Sequence, residues 1–166
     1  MSSSKKWTIQ DSENLYRVKR WGEGYFEIGS NGNLFVTPDP NNTDMRIDFN
    51  SVVEEIKQEG IQFPVVVRFH DILRSQVAKL NEAFHETIQE AEYQNHYMGV
   101  YPVKVNQMRE VVEEVVDAGA PYNYGLEAGS KAELLTAMAL NTNIDSLTIL
   151  NGYKDEEFMR LALLSL

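Results

Sequence analysis

The spacing of apolar residues changes twice along this chain. Residues 1–14 are polar and without period, which predicts a loose N-terminus. From Leu15 the texture is that of strands. Leu15-Tyr16-Arg17-Val18-Lys19-Arg20-Trp21 alternates, and Tyr25-Phe26-Glu27-Ile28 meets Asn33-Leu34-Phe35-Val36 across Gly29-Ser30-Asn31-Gly32. Two β-prone runs joined by four residues rich in Gly and Asn predict a hairpin. Thr37-Pro38-Asp39-Pro40-Asn41-Asn42 then interrupts the pattern, because each proline fixes φ and removes a donor. Residues 15–47 are therefore expected to form a small antiparallel β segment. Asn41-Asn42-Thr43 has the spacing of a glycosylation acceptor but carries no weight without a secretion signal.

Beyond this loop the period lengthens. Val52, Val53 and Ile56 share one face of a helix predicted over Ser51 to Glu59; Gly60 is its stop and Ser51-Val52-Val53-Glu54 has capping-box spacing. Four strand–helix units follow. Phe63 to Phe69 is an apolar strand, followed by a helix from Ile72 to Tyr93 carrying Leu73, Val77, Leu80, Phe84 and Ile88. Met98 to Lys104 is the second strand, and Val111, Val112, Val115 and Val116 mark its helix. Tyr124 to Ala128 is the third, with a helix opening on the box Ser130-Lys131-Ala132-Glu133. Leu147 to Leu150 is the fourth, before a helix starting at Asp155-Glu156-Glu157, whose charge suits the positive end of the helix dipole. Alternation of this kind means βαβ units and a parallel sheet. The α/β pattern alone leaves open a doubly wound sheet or part of a (β/α)8 barrel.

Composition narrows the function classes. With 43% hydrophobic residues in 166, the chain can bury a core and is not an acidic disordered tail. It has no cysteine, which excludes a disulfide scaffold, a thiolate nucleophile and a cysteine zinc site. Fifteen basic against 25 acidic residues give a net charge of -10. That balance argues against nucleic acid as a partner. No apolar run approaches the ~18 residues of a membrane span. Lys5 and Lys6 have no apolar stretch behind them, so no signal peptide is read. A soluble, cytoplasmic protein is expected, its acidic surplus spread over solvated helix faces.

Active sites of parallel α/β folds sit at the carboxyl ends of the strands. The residues there are Arg68 and His70, Lys104 and Asn106, Glu127 to Ser130, and Asn151 to Lys154. Lys104 ends an apolar stretch, and burial would lower its pKa and suit it to attack on carbonyls. The alternative is a lysine whose head escapes to water. Gly125-Leu126-Glu127-Ala128-Gly129-Ser130-Lys131 lacks the order and spacing of a nucleotide phosphate loop; the helix cap explains Ser130 and Glu133 without a ligand. His70, His85 and His96 lack the spacing of a metal pair, and no serine sits in a Gly-x-Ser-x-Gly elbow.

Tyr101-Pro102-Val103-Lys104-Val105-Asn106-Gln107 resembles the pyridoxal-phosphate lysine motif of fold type III decarboxylases, and of the biosynthetic arginine decarboxylases in particular. Trp21-Gly22 with Tyr25-Phe26, and Val36-Thr37-Pro38-Asp39-Pro40, are similar to that family's N-terminal segment. Gly125 to Leu134 and Asn151-Gly152-Tyr153-Lys154-Asp155 are similar to its next two strand-end motifs. The resemblance covers the chain from about Tyr16. It implies an alanine-racemase-like (β/α)8 barrel followed by a β-rich C-terminal domain. It also implies conversion of L-arginine to agmatine and CO2 in polyamine and spermidine biosynthesis, with pyridoxal 5'-phosphate and Mg2+. On that likeness Lys104 forms the Schiff base to the cofactor, and Glu127 and Asn151 line the cofactor pocket. Residues 15–47 would pack with the C-terminal domain, 48–166 would be the first half of the barrel, and the full-length form would be a homo-oligomer. A full barrel takes about 250 residues, so a chain ending after four units is expected to be truncated. A non-catalytic fragment acting as a binding module, or another fold type III decarboxylase or racemase, are the alternatives.

Overall fold

In the computed structural model, which describes residues 6–39 and 44–164, the chain divides into two units, Met1–Ile72 and Leu73–Leu166. Residues 40–43, which hold the second half of the proline-rich loop and the Asn41-Asn42-Thr43 spacing, lie outside the described residues.

In the first unit the stretch expected to be loose contains a helix, α1 (Ile9–Tyr16). Its start is written locally. The Thr8 hydroxyl accepts from the Asp11 amide, and the Thr8 amide donates to the Asp11 carboxylate, satisfying two orphan donors reciprocally. Arg17, at φ 53°, ends α1, and α2 (Val18–Gly22) follows at once. The alternating run 15–21 is thus helical, not a strand. Its period of two finds no ladder, and the Trp21 indole instead donates to the Tyr16 carbonyl across the break. The hairpin forms as expected. β1 (Phe26–Ile28) pairs antiparallel with β2 (Leu34–Val36) in the register Phe26 opposite Val36, and β3 (Ile47–Asp48) adds to β2. The Arg46 guanidinium lies 3.9 Å over the Phe35 ring and pairs with Glu27.

The next helix, α3 (Phe49–Gln58), starts earlier than expected. Asp48, not Ser51, is its cap, its carboxylate accepting from the Asn50 amide at 2.9 Å. Gly60 closes it at φ 72°, as the sequence predicts. The run Phe63–Phe69 is the larger correction. It alternates between half-buried Val65 and Val67 and exposed Val66 and Arg68, yet forms no ladder. A strand exists only through a partner, and none pairs with this run among the described residues.

The second unit carries the parallel sheet. β4 (Val100–Pro102), β5 (Gly125–Ala128) and β6 (Thr148–Leu150) pair in that order, all parallel. Three strands form where four were expected, each followed by its helix: α5 (Arg109–Gly119), α6 (Lys131–Leu140) and α7 (Glu156–Leu164). Strand β5 is central and buried at every residue. Val103, Val112, Val116, Leu126 and Ala137 form one cluster beside it; Ala128, Leu134, Phe158 and Ala162 form another. All four valines expected on one face of α5 are buried. The long helix α4 (His70–Glu90) sets Val77 against Val115 and Tyr124. Each such side chain contributes roughly 1.5–3 kcal/mol on burial.

Helix α6 begins where its cap predicts. The Ser130 hydroxyl accepts from the Glu133 amide at 3.2 Å, but the Glu133 carboxylate turns to the Gly129 amide instead of completing the box. Replacing Ser130 with alanine is expected to cost about 1 kcal/mol. It should speed hydrogen exchange of the Glu133 amide about fivefold; unchanged exchange would mean that the cap contributes nothing.

Candidate active site

Lys104 is placed by what precedes and follows it. Strand β4 stops at Pro102, and Val103–Val105 turns in a short 3-10 helix. Val103 is buried at 1% exposure and anchors the turn, while Val105 faces out. The Tyr101 hydroxyl donates to the Asn106 carbonyl, closing the loop, and the Asn106 side chain accepts from the Met108 amide at the start of α5. Burial raises the Tyr101 phenol above its ordinary pKa, with the Asn106 hydrogen bond opposing. Of the two placements left open for Lys104, the structure has the exposed one: its side chain is 57% exposed. The 3-10 turn carries residue 104 past the end of the sheet to its rim, so its head reaches water.

What lies beside it is a buried acid. Glu127 sits opposite Pro102 in the β4–β5 ladder, and its side chain is 8% exposed. Its Oε1 is 3.7 Å from the Lys104 Nζ, an ion-pair distance, and has no hydrogen-bond donor. A buried carboxylate oxygen without a donor is costly and rare. It points to a position that another group completes.

The neighbouring turns are built tightly. Gly129 donates its amide to the Glu133 carboxylate at 2.7 Å, and a Cβ on Gly129 would stand 3.4 Å from the Glu133 Oε2 and 3.8 Å from the Glu127 Oε1. Two largely buried carboxylates therefore flank one strand end. Glu133, expected as half of a helix cap, keeps its amide on Ser130 but turns its carboxylate to the strand end. Asn151 follows β6 and is exposed; its amide donates to the Ala128 carbonyl at 2.8 Å, while its side chain accepts from the Gly152 amide. Lys154 donates to the Gly152 carbonyl at 3.3 Å. Lys131 is held between Asp155 and Glu157. The Asp155 hydrogen bond, then Glu157, raises its pKa, and Lys131 lowers that of Asp155.

Lys104, Glu127 and Asn151 thus lie at the ends of three successive parallel strands. Arg68 and His70 belong to the first unit, on the unladdered segment and at the start of α4. His85 and His96 line a separate open cleft with Tyr97, Tyr122 and Asp145. Among the described residues no group of three or more His, Asp or Glu is placed to hold a metal ion, and no helix is long and apolar enough to cross a membrane.

The family described as pyridoxal-dependent decarboxylase, pyridoxal binding domain, matches residues 74–165. The chain is 49% identical over 159 residues to the biosynthetic arginine decarboxylase of Gloeobacter violaceus, covering 96% of this chain and 24% of that protein. It is 44% identical over 162 residues to the enzyme of the same name from Prochlorococcus marinus subsp. pastoris, covering 98% and 25%. The chain spans about a quarter of the length of these relatives. The crystal structure of the biosynthetic arginine decarboxylase of Campylobacter jejuni superposes with a TM-score of 0.82 at 34% identity, over 90% of this chain and 24% of that one. The parallel sheet and its helices are the N-terminal part of the β/α barrel of fold type III, which decides between the two architectures that the pattern left open. The chain belongs to the pyridoxal-dependent decarboxylase family and carries its pyridoxal-binding region.

Proposed function

We propose that this chain is the cofactor-lysine region of an arginine decarboxylase, converting L-arginine to agmatine and CO2, with Lys104 as the residue that holds pyridoxal phosphate. The observation that carries this is an accessible amine at the mouth of a parallel sheet, 3.7 Å from a buried carboxylate oxygen that no donor satisfies. The relatives named above support the substrate.

The residues fit such a group. Lys104 is exposed enough to meet an aldehyde, and the orphaned Glu127 oxygen is an acceptor in want of a donor. Lys104 would hold the cofactor through its amine, and Glu127 and Asn151 would line the pocket at the neighbouring strand ends. Pyridoxal phosphate, when bound, supplies the electron sink that makes loss of an α-carboxylate feasible. Glu127 sets a carboxylate oxygen 3.7 Å from the Lys104 amine and so orients that amine at the strand end. Its rigidity comes from the fully buried strand β5. The described residues do not fit a magnesium site, since no group of three or more His, Asp or Glu among them is placed to hold a metal ion. A cytoplasmic homo-oligomer serving polyamine and spermidine biosynthesis is the setting this reading carries with it, on the family resemblance alone.

Turnover of the full-length protein on arginine, ornithine and diaminopimelate, with pyridoxal phosphate supplied, tests the reading. Agmatine and CO2 should form from arginine, with kcat/KM on the other two lower by at least about 100-fold. A preference for ornithine or diaminopimelate would reassign the substrate; no turnover of any of them would end the proposal.

A further inference from the structure

Two turns meet at the mouth of the sheet, one joining β5 to α6 and the other joining β6 to α7. Their backbones touch. Gly152 has φ 73°, and a Cβ there would stand 2.5 Å from the Gly129 carbonyl oxygen. One residue next to this contact bridges the turns by side chain. The Lys131 Nζ lies 2.8 Å from the Asp155 Oδ2 and also contacts Glu157. The other oxygen of Asp155 accepts from the Phe158 amide at 2.8 Å, so the same carboxylate caps α7. Phe158 in turn is buried at 1% exposure against Ala128, Leu134 and Ala162. The bridge itself lies at the surface, with Lys131 38% and Asp155 42% exposed, and it is tied to the core only through the Phe158 amide.

Helix stability does not explain Lys131. It is the first residue of α6, the end of a helix where a cation is electrostatically disfavoured. The carboxylates that offset this come from the start of α7, from its cap Asp155 and from Glu157, 24 and 26 positions further along the chain.

We propose that Lys131 is a positioning residue: by bridging the two turns it holds the strand ends that carry Glu127 and Asn151 in the arrangement that cofactor capture at Lys104 requires. This rests on the function proposed above. The test uses the full-length protein and its Lys131→Met, Lys131→Arg and Asp155→Asn variants, with three readouts: hydrogen exchange of the 150–155 segment without cofactor, pyridoxal phosphate affinity by titration, and thermal midpoint. Lys131→Met should exchange about tenfold faster in that segment. It should bind the cofactor about tenfold more weakly, with the midpoint within about 3 °C of the parent. Lys131→Arg should restore both properties. Asp155→Asn, which keeps a cap acceptor, should match Lys131→Met, and the double variant should be no worse than either single one. Parental exchange and affinity in Lys131→Met would overturn the proposal. So would a loss of protection spread over every segment, which marks a merely structural residue. A parent protein that binds no pyridoxal phosphate would remove the functional reading and this inference together, whereas a parent that binds, beside an unaffected variant, removes this inference alone.

Discussion

On the proposed function, Lys104→Ala in the full-length protein is expected to lower kcat for arginine decarboxylation by at least about a thousandfold, the scale seen when a residue essential to the chemistry is removed. Folding is expected to survive. The Lys104 side chain is 57% exposed, so its loss opens no cavity; the packing at this turn belongs to Val103. The buried Glu127 carboxylate does lose its cation, and an uncompensated buried charge destabilises. Lys104→Arg separates the two effects. A guanidinium keeps a positive charge beside Glu127 but stays protonated and is no nucleophile. It should retain stability and be as inactive as the alanine variant. Borohydride reduction of the parent enzyme with pyridoxal phosphate, followed by peptide mapping, should place the pyridoxyl group on Lys104. An adduct on another lysine, or more than a tenth of the parent activity in Lys104→Ala, would defeat the assignment.

Gly125→Ala is expected to be the most damaging single methyl in the sheet. A Cβ at this position would sit 1.8 Å from the Leu147 carbonyl oxygen. That oxygen is backbone and accepts from the Leu126 amide at 3.1 Å, so it cannot move aside without opening the β5–β6 ladder. Overpacking against a fixed backbone, together with a weakened ladder, gives a loss of about 3 kcal/mol. Native-state hydrogen exchange reads this locally. The amides of Leu126 to Ala128 should exchange roughly 100-fold faster, since each 1.4 kcal/mol is tenfold. Because β5 also carries Glu127, cofactor binding should weaken in parallel. Parental protection in β5 would show that the strand can shift at little cost, and would refute the close approach as the reason for glycine here.

The elements read well from sequence share one property: their determinants are a few residues apart. The Gly29–Gly32 link with its flanking β-prone runs, the buried valines of α5, the Gly60 stop and the Ser130 cap all concern bonds or faces within one element or one turn. The misreadings came where two local signals competed or where the deciding partner was distant. Alternation over 15–21 suggested a strand, but the helix that the Thr8–Asp11 box starts runs to Tyr16, a second helix follows the Arg17 break, and no neighbouring strand answers the alternation among the described residues. Phe63–Phe69 kept the period of a strand without the ladder that defines one.

The candidate site divides along the same line. Sequence alone determined that Lys104, Glu127 and Asn151 stand at successive strand ends, because βα periodicity and the order of the motifs are local properties. Only the tertiary structure decided what surrounds them. It turned Lys104 out to the rim through a 3-10 helix, buried Glu127 with an unsatisfied oxygen, and moved the Glu133 carboxylate from its cap to the Gly129 amide. It also joined Lys131 to Asp155 across two turns. The physical reason is that burial and ion pairing depend on where other segments come to rest, and no spacing along one segment encodes that position.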